Sequence, residues 1–496
     1  MRRLAPSRRR GSRLISSAPG AALLAAICGP ACTGGRAPER QTETPRALAA
    51  AMQWLAAGGG DLPETNQLSI EQDLALAAKV FGPQGRLLFA GGPETESVQI
   101  ATRLPPHSLR LELGALFDPR PGRDARYRKT TLRPVGPATV ERIADLLRQA
   151  TATGDGDLLV YLAGHGSLAK QPKDNGFLTW GNEVLTSIDL AQVLDAAAPA
   201  RRVRLVVTSC FSGGFAETLF VGAASERGPT PLDRCGLFAA TADQESSGCD
   251  PDPDRRRHDG YGVHFLHALA GEDHLGRPLA AGSADLDGDG KISLLEAHTL
   301  VAARARTFDV PTTTSERWLR ARAPSEGPSA AVDLVEEEWL LTELSRRAAD
   351  TSIAGAQDEL AQLDLDLTAA RDAVEEARAA ETDAFRVVAA EMLSRWPVVN
   401  DPWHPLFDST LAGEAARIRR YLARADSVAE HRQAAAAVDD AEAEVDLLLR
   451  QKALVERRVR AFETLQRAGR LRHVGGRDWE IFARLRACER SLPPRP

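Results

Sequence analysis

The 496-residue chain carries 62 basic and 68 acidic side chains, a formal net charge of −6, and 43% hydrophobic residues. Without a basic stripe on one domain, that balance argues against nucleic acid as a partner. Few aromatics (5%) and abundant Ala favour helices over an all-β architecture, and the length allows two or three domains.

Met1 to Leu14 holds six arginines and no acidic residue, and a small, apolar stretch from Ala18 to Ile27 follows. A basic head before a short hydrophobic run is the pattern of an export signal, too short to span a bilayer as a stable helix. Residues 1–32 are therefore expected to direct export to the periplasm or outer surface. The alternative is a basic tail on a cytoplasmic protein. Cys28 and Cys32, next to small residues, resemble the cysteine of the bacterial lipobox and are candidates for a membrane-anchoring lipid. Residues 33–65, rich in Gly, Pro and Ala, read as a linker.

From residue 66 to 325 short apolar runs alternate with helical patterns. Strands are expected at Arg86–Ala90, Asp157–Ala163, Arg202–Thr208 and Gly236–Thr241. The second and third are near-continuous apolar runs, as in parallel strands buried on both faces. Helices are expected at Thr139–Ala150, where Val140, Ile143, Leu146 and Leu147 share a face, and at Ile188–Ala197 and Tyr261–Ala270. The alternation implies an α/β fold: a mainly parallel sheet with helices on both faces. In residues 326–496 Ala, Leu, Glu and Arg dominate. One helix is expected from Val335 to about Arg395 and another from Thr410 to Ala468, broken between by three prolines. They should pack antiparallel as a hairpin or coiled-coil arm, a surface for a partner or for self-association.

Two strand ends carry chemistry. One closes as Tyr-Leu-Ala-Gly-His165-Gly166-Ser, the other as Val-Val-Thr208-Ser-Cys210-Phe-Ser-Gly-Gly. Functional groups gather beyond the carboxyl ends of parallel strands. A Cys–His pair there suits acyl transfer, with His165 as base and Cys210 as nucleophile. The backbone N–H groups of Gly166 and Cys210 are candidates to hold an oxyanion. These two segments resemble the catalytic segments of the caspase/metacaspase/legumain clan of cysteine peptidases. In caspases the His lies about 50 residues before the Cys; here the separation is 45. Phe-Ala-Ala-Thr-Ala-Asp-Gln-Glu-Ser-Ser and Gly-Tyr-Gly-Val-His-Phe-Leu are similar to later segments of the clan. The resemblance covers roughly residues 66–323 and implies a caspase-like fold and cleavage of protein or peptide substrates. Where caspases have Gln and metacaspases Asp, two residues before the Cys, this chain has Thr208, so neither preference carries over. Asp243 and Glu245 are the acidic candidates for a substrate pocket and lean the specificity toward Arg or Lys. A non-catalytic scaffold acting through the helical arm, and a transpeptidase or ligase on the same dyad, remain alternatives.

Asp285-Leu-Asp287-Gly-Asp289-Gly-Lys291-Ile-Ser-Leu-Leu-Glu296 matches the EF-hand loop, with carboxylates at positions 1, 3, 5 and 12 and the Lys291 carbonyl at position 7. Ca²⁺ is the cofactor it implies, and no organic cofactor is expected. The helix leaving the loop is expected at Leu294–Ala305. Beyond Cys28 and Cys32 there are four cysteines, too few for a disulfide scaffold. A Cys235–Cys249 bridge is conceivable after export. Residues 221–234 and the Arg255–Arg257 segment are candidate processing loops.

Overall fold

The computed structural model describes residues 52–101, 108–119, 125–152, 155–346 and 348–494. The expected export signal, Cys28 and Cys32 lie outside the described residues.

The chain begins with β1 (Trp54–Gly59), α1 (Leu68–Phe81), β2 (Gly85–Phe89) and β3 (Glu96–Ala101). Then come α2 (Leu109–Phe117), β4 (Ala125–Lys129), α3 (Val140–Thr151), β5 (Asp157–Gly164) and the short strands β6 (Gly166–Ser167), β7 (Gly176–Thr179) and β8 (Glu183–Thr186). Next are α4 (Ser187–Asp195), β9 (Arg202–Val207), β10 (Arg234–Phe238), α5 (Tyr261–Leu269), α6 (Leu294–Arg304), β11 (Thr312–Thr313) and α7 (Thr314–Arg322). Five helices follow: α8 (Val335–Ser345), α9 (Ile353–Arg395), α10 (Phe407–Arg424), α11 (Asp426–Val474) and α12 (Gly476–Glu489).

Six strands form one sheet in the order β11-β10-β9-β5-β1-β2, all parallel except for β11. Alternate side chains serve opposite cores, as strand geometry requires. Ala56, Leu159, Tyr161, Val206 and Leu237 pack under α1, α5 and α6. Leu55, Leu158, Val160, Leu205 and Val207 pack under α3 and α4. The chain leaves β1 toward β2 on one side and later returns to β5 on the other, so a crevice opens beyond the carboxyl ends of β1 and β5.

The interior strand β1, between β5 and the edge strand β2, lies inside the stretch expected to be linker. Its Ala-Ala-Gly-Gly run gives no apolar signal, yet all six residues are buried. Small residues are needed there: a Cβ on Gly58 would lie 2.1 Å from the Ala163 carbonyl oxygen. The expected first C-terminal helix is observed as two helices, α8 ending at Ser345 and α9 starting at Ile353.

The long helices α9 and α11 run antiparallel. Glu359, Asp364, Arg378 and Glu381 of α9 pair with Arg458, Lys452, Glu442 and His431 of α11, the numbers rising on one helix as they fall on the other. Leu363, Leu367, Leu448 and Val455 fill the seam. At the distal end α2 joins this arm, Leu109 and Leu113 packing with Val388, Met392, Ile418 and Tyr421. At the proximal end the chain returns to the sheet. Ile481, Phe482 and Leu485 of α12 pack on Phe220, Trp318 and Leu319, and Cys488 forms a disulfide with Cys235 of β10. The conceivable Cys235–Cys249 pair does not form; Cys249 is free and exposed, while Cys235 is buried under α12. Among the described residues, no helix is long and apolar enough to cross a membrane.

Candidate active site

β5 and β9 pair with Leu162 opposite Val207. Three further residues carry each chain to His165 and Cys210, which therefore sit side by side at the carboxyl edge. Gly166 brings the two segments together, since a Cβ there would lie 2.0 Å from the Cys210 carbonyl oxygen.

The loop after β1 orients the imidazole. His165 Nε2 lies 2.8 Å from the Thr65 carbonyl oxygen and 2.9 Å from Gln67 Oε1. A backbone carbonyl only accepts, so Nε2 carries the proton and Nδ1 keeps the basic lone pair. The loop is pinned through the buried Asn66, which accepts from Gly60 N–H at 3.1 Å and donates to Ser97 Oγ at 3.0 Å.

Cys210 is half-buried. Its thiol accepts from Ser246 N–H at 3.3 Å and lies 3.5 Å from the Ser246 carbonyl oxygen. Burial raises its pKa, the Ser246 hydrogen bonds lower it, and the charges of Glu245 and Asp309 raise it again. Among the described residues no hydrogen bond joins His165 to Cys210; the imidazole is held by the loop after β1 and the thiol by Ser246. The next residue, Phe211, has φ 58°, a left-handed turn unusual for a non-glycine. Phe211 N–H donates to the Gln244 carbonyl at 2.7 Å, and Asn175 Nδ2 donates to the carbonyls of Phe211 and Ala242 at 3.2 and 2.6 Å.

The expected pocket residues separate. Thr208, two residues before Cys210, donates to the Leu162 carbonyl at 3.3 Å and lies beside the Tyr161 hydroxyl. Glu245 is exposed, close enough for its charge to act on the thiol. Asp243 is exposed and accepts from Thr241 Oγ1 at 2.7 Å. A further carboxylate, Asp73 of α1, stands closer to the interior. Its Oδ1 lies 2.8 Å from Arg255 Nη1. A Cβ on Gly262 would fall 2.7 Å from Asp73 Oδ2 and 2.9 Å from the Tyr161 hydroxyl, so α5 closes this space with a glycine. Cys249 is exposed by surface area, yet dense packing around its thiol, then the Cys210 thiol and Asp73, raise its pKa to about 12. Cys249 therefore lies near both Cys210 and Asp73.

In the acidic loop one carboxylate oxygen from each of Asp285, Asp287 and Asp289 lies within 4.8 Å of the others. Gly288 and Gly290 have φ +79° and +82°, the left-handed values such a loop needs. Glu296 is buried. It accepts from Leu286 N–H and Asp287 N–H at 2.6 and 3.2 Å, and from Ser293 N–H at 2.8 Å in a capping box that starts α6. Lys291 N–H donates to Asp289 Oδ1 at 2.8 Å.

Sequence reasoning missed Thr65, Gln67, Ser246 and Asp73. Ser246 lies in the segment Phe238–Ser247 but was given no role there; the other three belong to no motif, and Thr65 fell in the supposed linker. No family model and no curated protein matches the chain. Among solved structures, the crystal structure of protein GSU0716 from Geobacter sulfurreducens is similar, with 13% identity and a TM-score of 0.30, covering 53% of this chain and 92% of that one.

Proposed function

We propose that this chain is a caspase-like cysteine endopeptidase, with Cys210 as nucleophile and His165 as general base and acid. The observation that carries this reading is the pairing of both residues at register-matched ends of adjacent parallel strands, with Nδ1 left basic by the Thr65 carbonyl on Nε2. The Cys210 thiol loses its proton to Nδ1 and attacks the substrate carbonyl, and the resulting oxyanion is held by the backbone N–H groups of Gly166 and Cys210. As the C–N bond breaks, the proton passes from the imidazole to the leaving amine, and a thioester remains. Water, deprotonated by the same ring, then releases the acid and restores the thiol.

A preference for Arg or Lys beside the scissile bond is supported by the Asp73 carboxylate, which already pairs with one guanidinium, that of Arg255, at 2.8 Å. Arg255 rests there, its Nη1 and Nη2 enclosed without a well-aligned hydrogen bond. A substrate guanidinium would have to displace it. Calcium suits the 285–296 loop. Asp285, Asp287, Asp289 and Glu296 supply hard carboxylate oxygens and Lys291 a carbonyl, and the ion would neutralise the clustered charge and clamp the start of α6. Export and lipid anchoring fit this reading and belong to the proposal.

Cleavage of a mixed peptide library by the full chain, with and without Ca²⁺, tests it beside Cys210→Ala. Cuts after Arg or Lys that vanish in the variant, and that weaken at least tenfold in Asp73→Asn, are expected. Equal cleavage by Cys210→Ala, or none by folded, reduced protein in either calcium condition, would sink it. Transfer to an added amine in place of water would reassign the dyad to ligation.

A further inference from the structure

The segment 244–247 wraps the candidate nucleophile. Gln244 receives Phe211 N–H at its carbonyl, and Ser246 N–H points at Cys210 Sγ. Both ends of this segment are held from α11, by two consecutive residues of the arm. At the near end, Gln244 Nε2 donates to the two carboxylate oxygens of Glu456 at 3.0 and 2.8 Å. At the far end, Ser247 donates its N–H and hydroxyl to Asp309 Oδ1 at 2.6 and 3.0 Å.

Asp309 is in turn fixed by Arg457. The Arg457 guanidinium is buried and donates to four carbonyls: Ala302 at 3.1 Å, Ala305 at 2.8 Å, Thr307 at 2.9 Å and Asp309 at 2.7 Å. Only arginine has enough donors in a rigid fork for this arrangement. Taking a guanidinium out of water is costly, and an apolar side chain would fill the same volume at no such expense. What Arg457 secures is the course of the 302–309 chain, and with it the place of the Asp309 carboxylate under Ser247.

We propose that α11 is a positioning element for the nucleophile: Glu456 and Arg457 fix the segment 244–247 and so hold the Ser246 N–H on the Cys210 thiol. The proposal rests on Cys210 being the reactive residue and extends that reading to the helical arm. The reactivity of the thiol then depends on where α11 sits, so a ligand that moves the base of the arm changes the chemistry at the sheet edge. Without the Ser246 donor the thiolate loses its hydrogen bond, and the neutral form gains. The other groups that face the thiol are the carboxylates of Glu245 and Asp309, the Cys249 thiol and, from β5, His165.

The readout is alkylation of Cys210 by iodoacetamide across a pH series, followed by mass spectrometry. It uses the full chain with the disulfide intact, in a Cys249→Ser background that removes the other free thiol among the described residues, and peptide mapping separates Cys210 from Cys28 and Cys32. Glu456→Ala and Arg457→Gln are each expected to move the rise in rate upward by about one pH unit, roughly a tenfold loss at pH 7. Gln244→Ala combined with Glu456→Ala should shift the profile no further than either alone, because both act through one contact. A general loss of stability would not produce that pattern. Should Arg457→Gln fail to fold, the Glu456 and Gln244 variants carry the test. Profiles that superimpose on the parent in folded Glu456→Ala and Gln244→Ala overturn the proposal. Peptide cleavage is not needed for this measurement. A shifted profile in a protein that cuts nothing would remove the peptidase reading and leave the coupling. Cleavage with unshifted profiles would do the reverse.

Discussion

At Gly166 the chain has no room for any side chain, because the obstructing atom is a backbone oxygen of Cys210 that cannot turn away. Gly166→Ala should therefore force the His and Cys segments apart. About 2 kcal/mol of stability and more than nine-tenths of Cys210 alkylation or peptide cleavage should be lost, as read by urea midpoints and rates. His298 sets a different limit. Its ring is buried, with Nδ1 2.7 Å from the Tyr261 hydroxyl, and burial lowers its pKa from 6.5 to about 3. The unfolded chain takes up this proton near 6.5, and the folded one holds it off until about 3. Stability is thus complete above 6.5 and falls as pH drops through that window, by about 2 kcal/mol at pH 5. His298→Gln should be less stable at pH 7.5 yet show a flatter acid limb in urea titrations. The glycine after a chemically marked residue was legible in Gly-His-Gly; the environment of His298, made by residues distant in sequence, was not.

Among the elements, β5 and β9 announced themselves as near-continuous apolar runs, the helices α3, α4 and α5 by their helical patterns, and α6 by the loop motif before it. Those signals are local. β1 was hidden because close packing selects Ala and Gly over large apolar side chains, and α12 because its partner lies at the far side of the chain. The Cys235–Cys488 bridge spans 253 residues, a closure no spacing rule reveals. It joins α12 to β10, and Glu489 beside Cys488 accepts from Thr314 Oγ1 and Ser315 N–H, both at 2.7 Å, at the start of α7. Replacing both cysteines by alanine should cost 2–5 kcal/mol, about what loss of a native disulfide costs elsewhere, measured by denaturant titration. Mass spectrometry without reductant should find residues 235 and 488 linked. For the acidic loop, calcium should raise the Tm, with about 2.7 kcal/mol gained at a hundredfold excess over Kd. Asp285→Asn with Asp289→Asn should abolish the rise. An unchanged Tm in the parent would remove calcium from the account.

For the molecule as a whole, the division at residue 325 suggested by composition cuts through a core. Leu219, Phe220, Trp318 and Leu319 are covered by α12 and the end of α11, and buried Arg486 joins α12 to Glu336 and Glu337 of α8 at 2.9 and 2.7 Å. A fragment of residues 52–325 should consequently show no cooperative unfolding transition by circular dichroism, whereas residues 52–494 should show one. Composition separates the two regions because one is α/β and the other helical, but it carries no trace of which faces they share. The two ends of the described chain meet at the amino edge of the sheet. Arg201 donates to the Met52 carbonyl, and Arg204 Nε to Ser491 Oγ at 2.7 Å. His165 and Cys210 lie at the carboxyl edge of those same parallel strands. Whatever precedes Met52 is therefore joined to the body at the sheet edge away from His165 and Cys210, which separates the point of attachment from the proposed site by the full length of the strands.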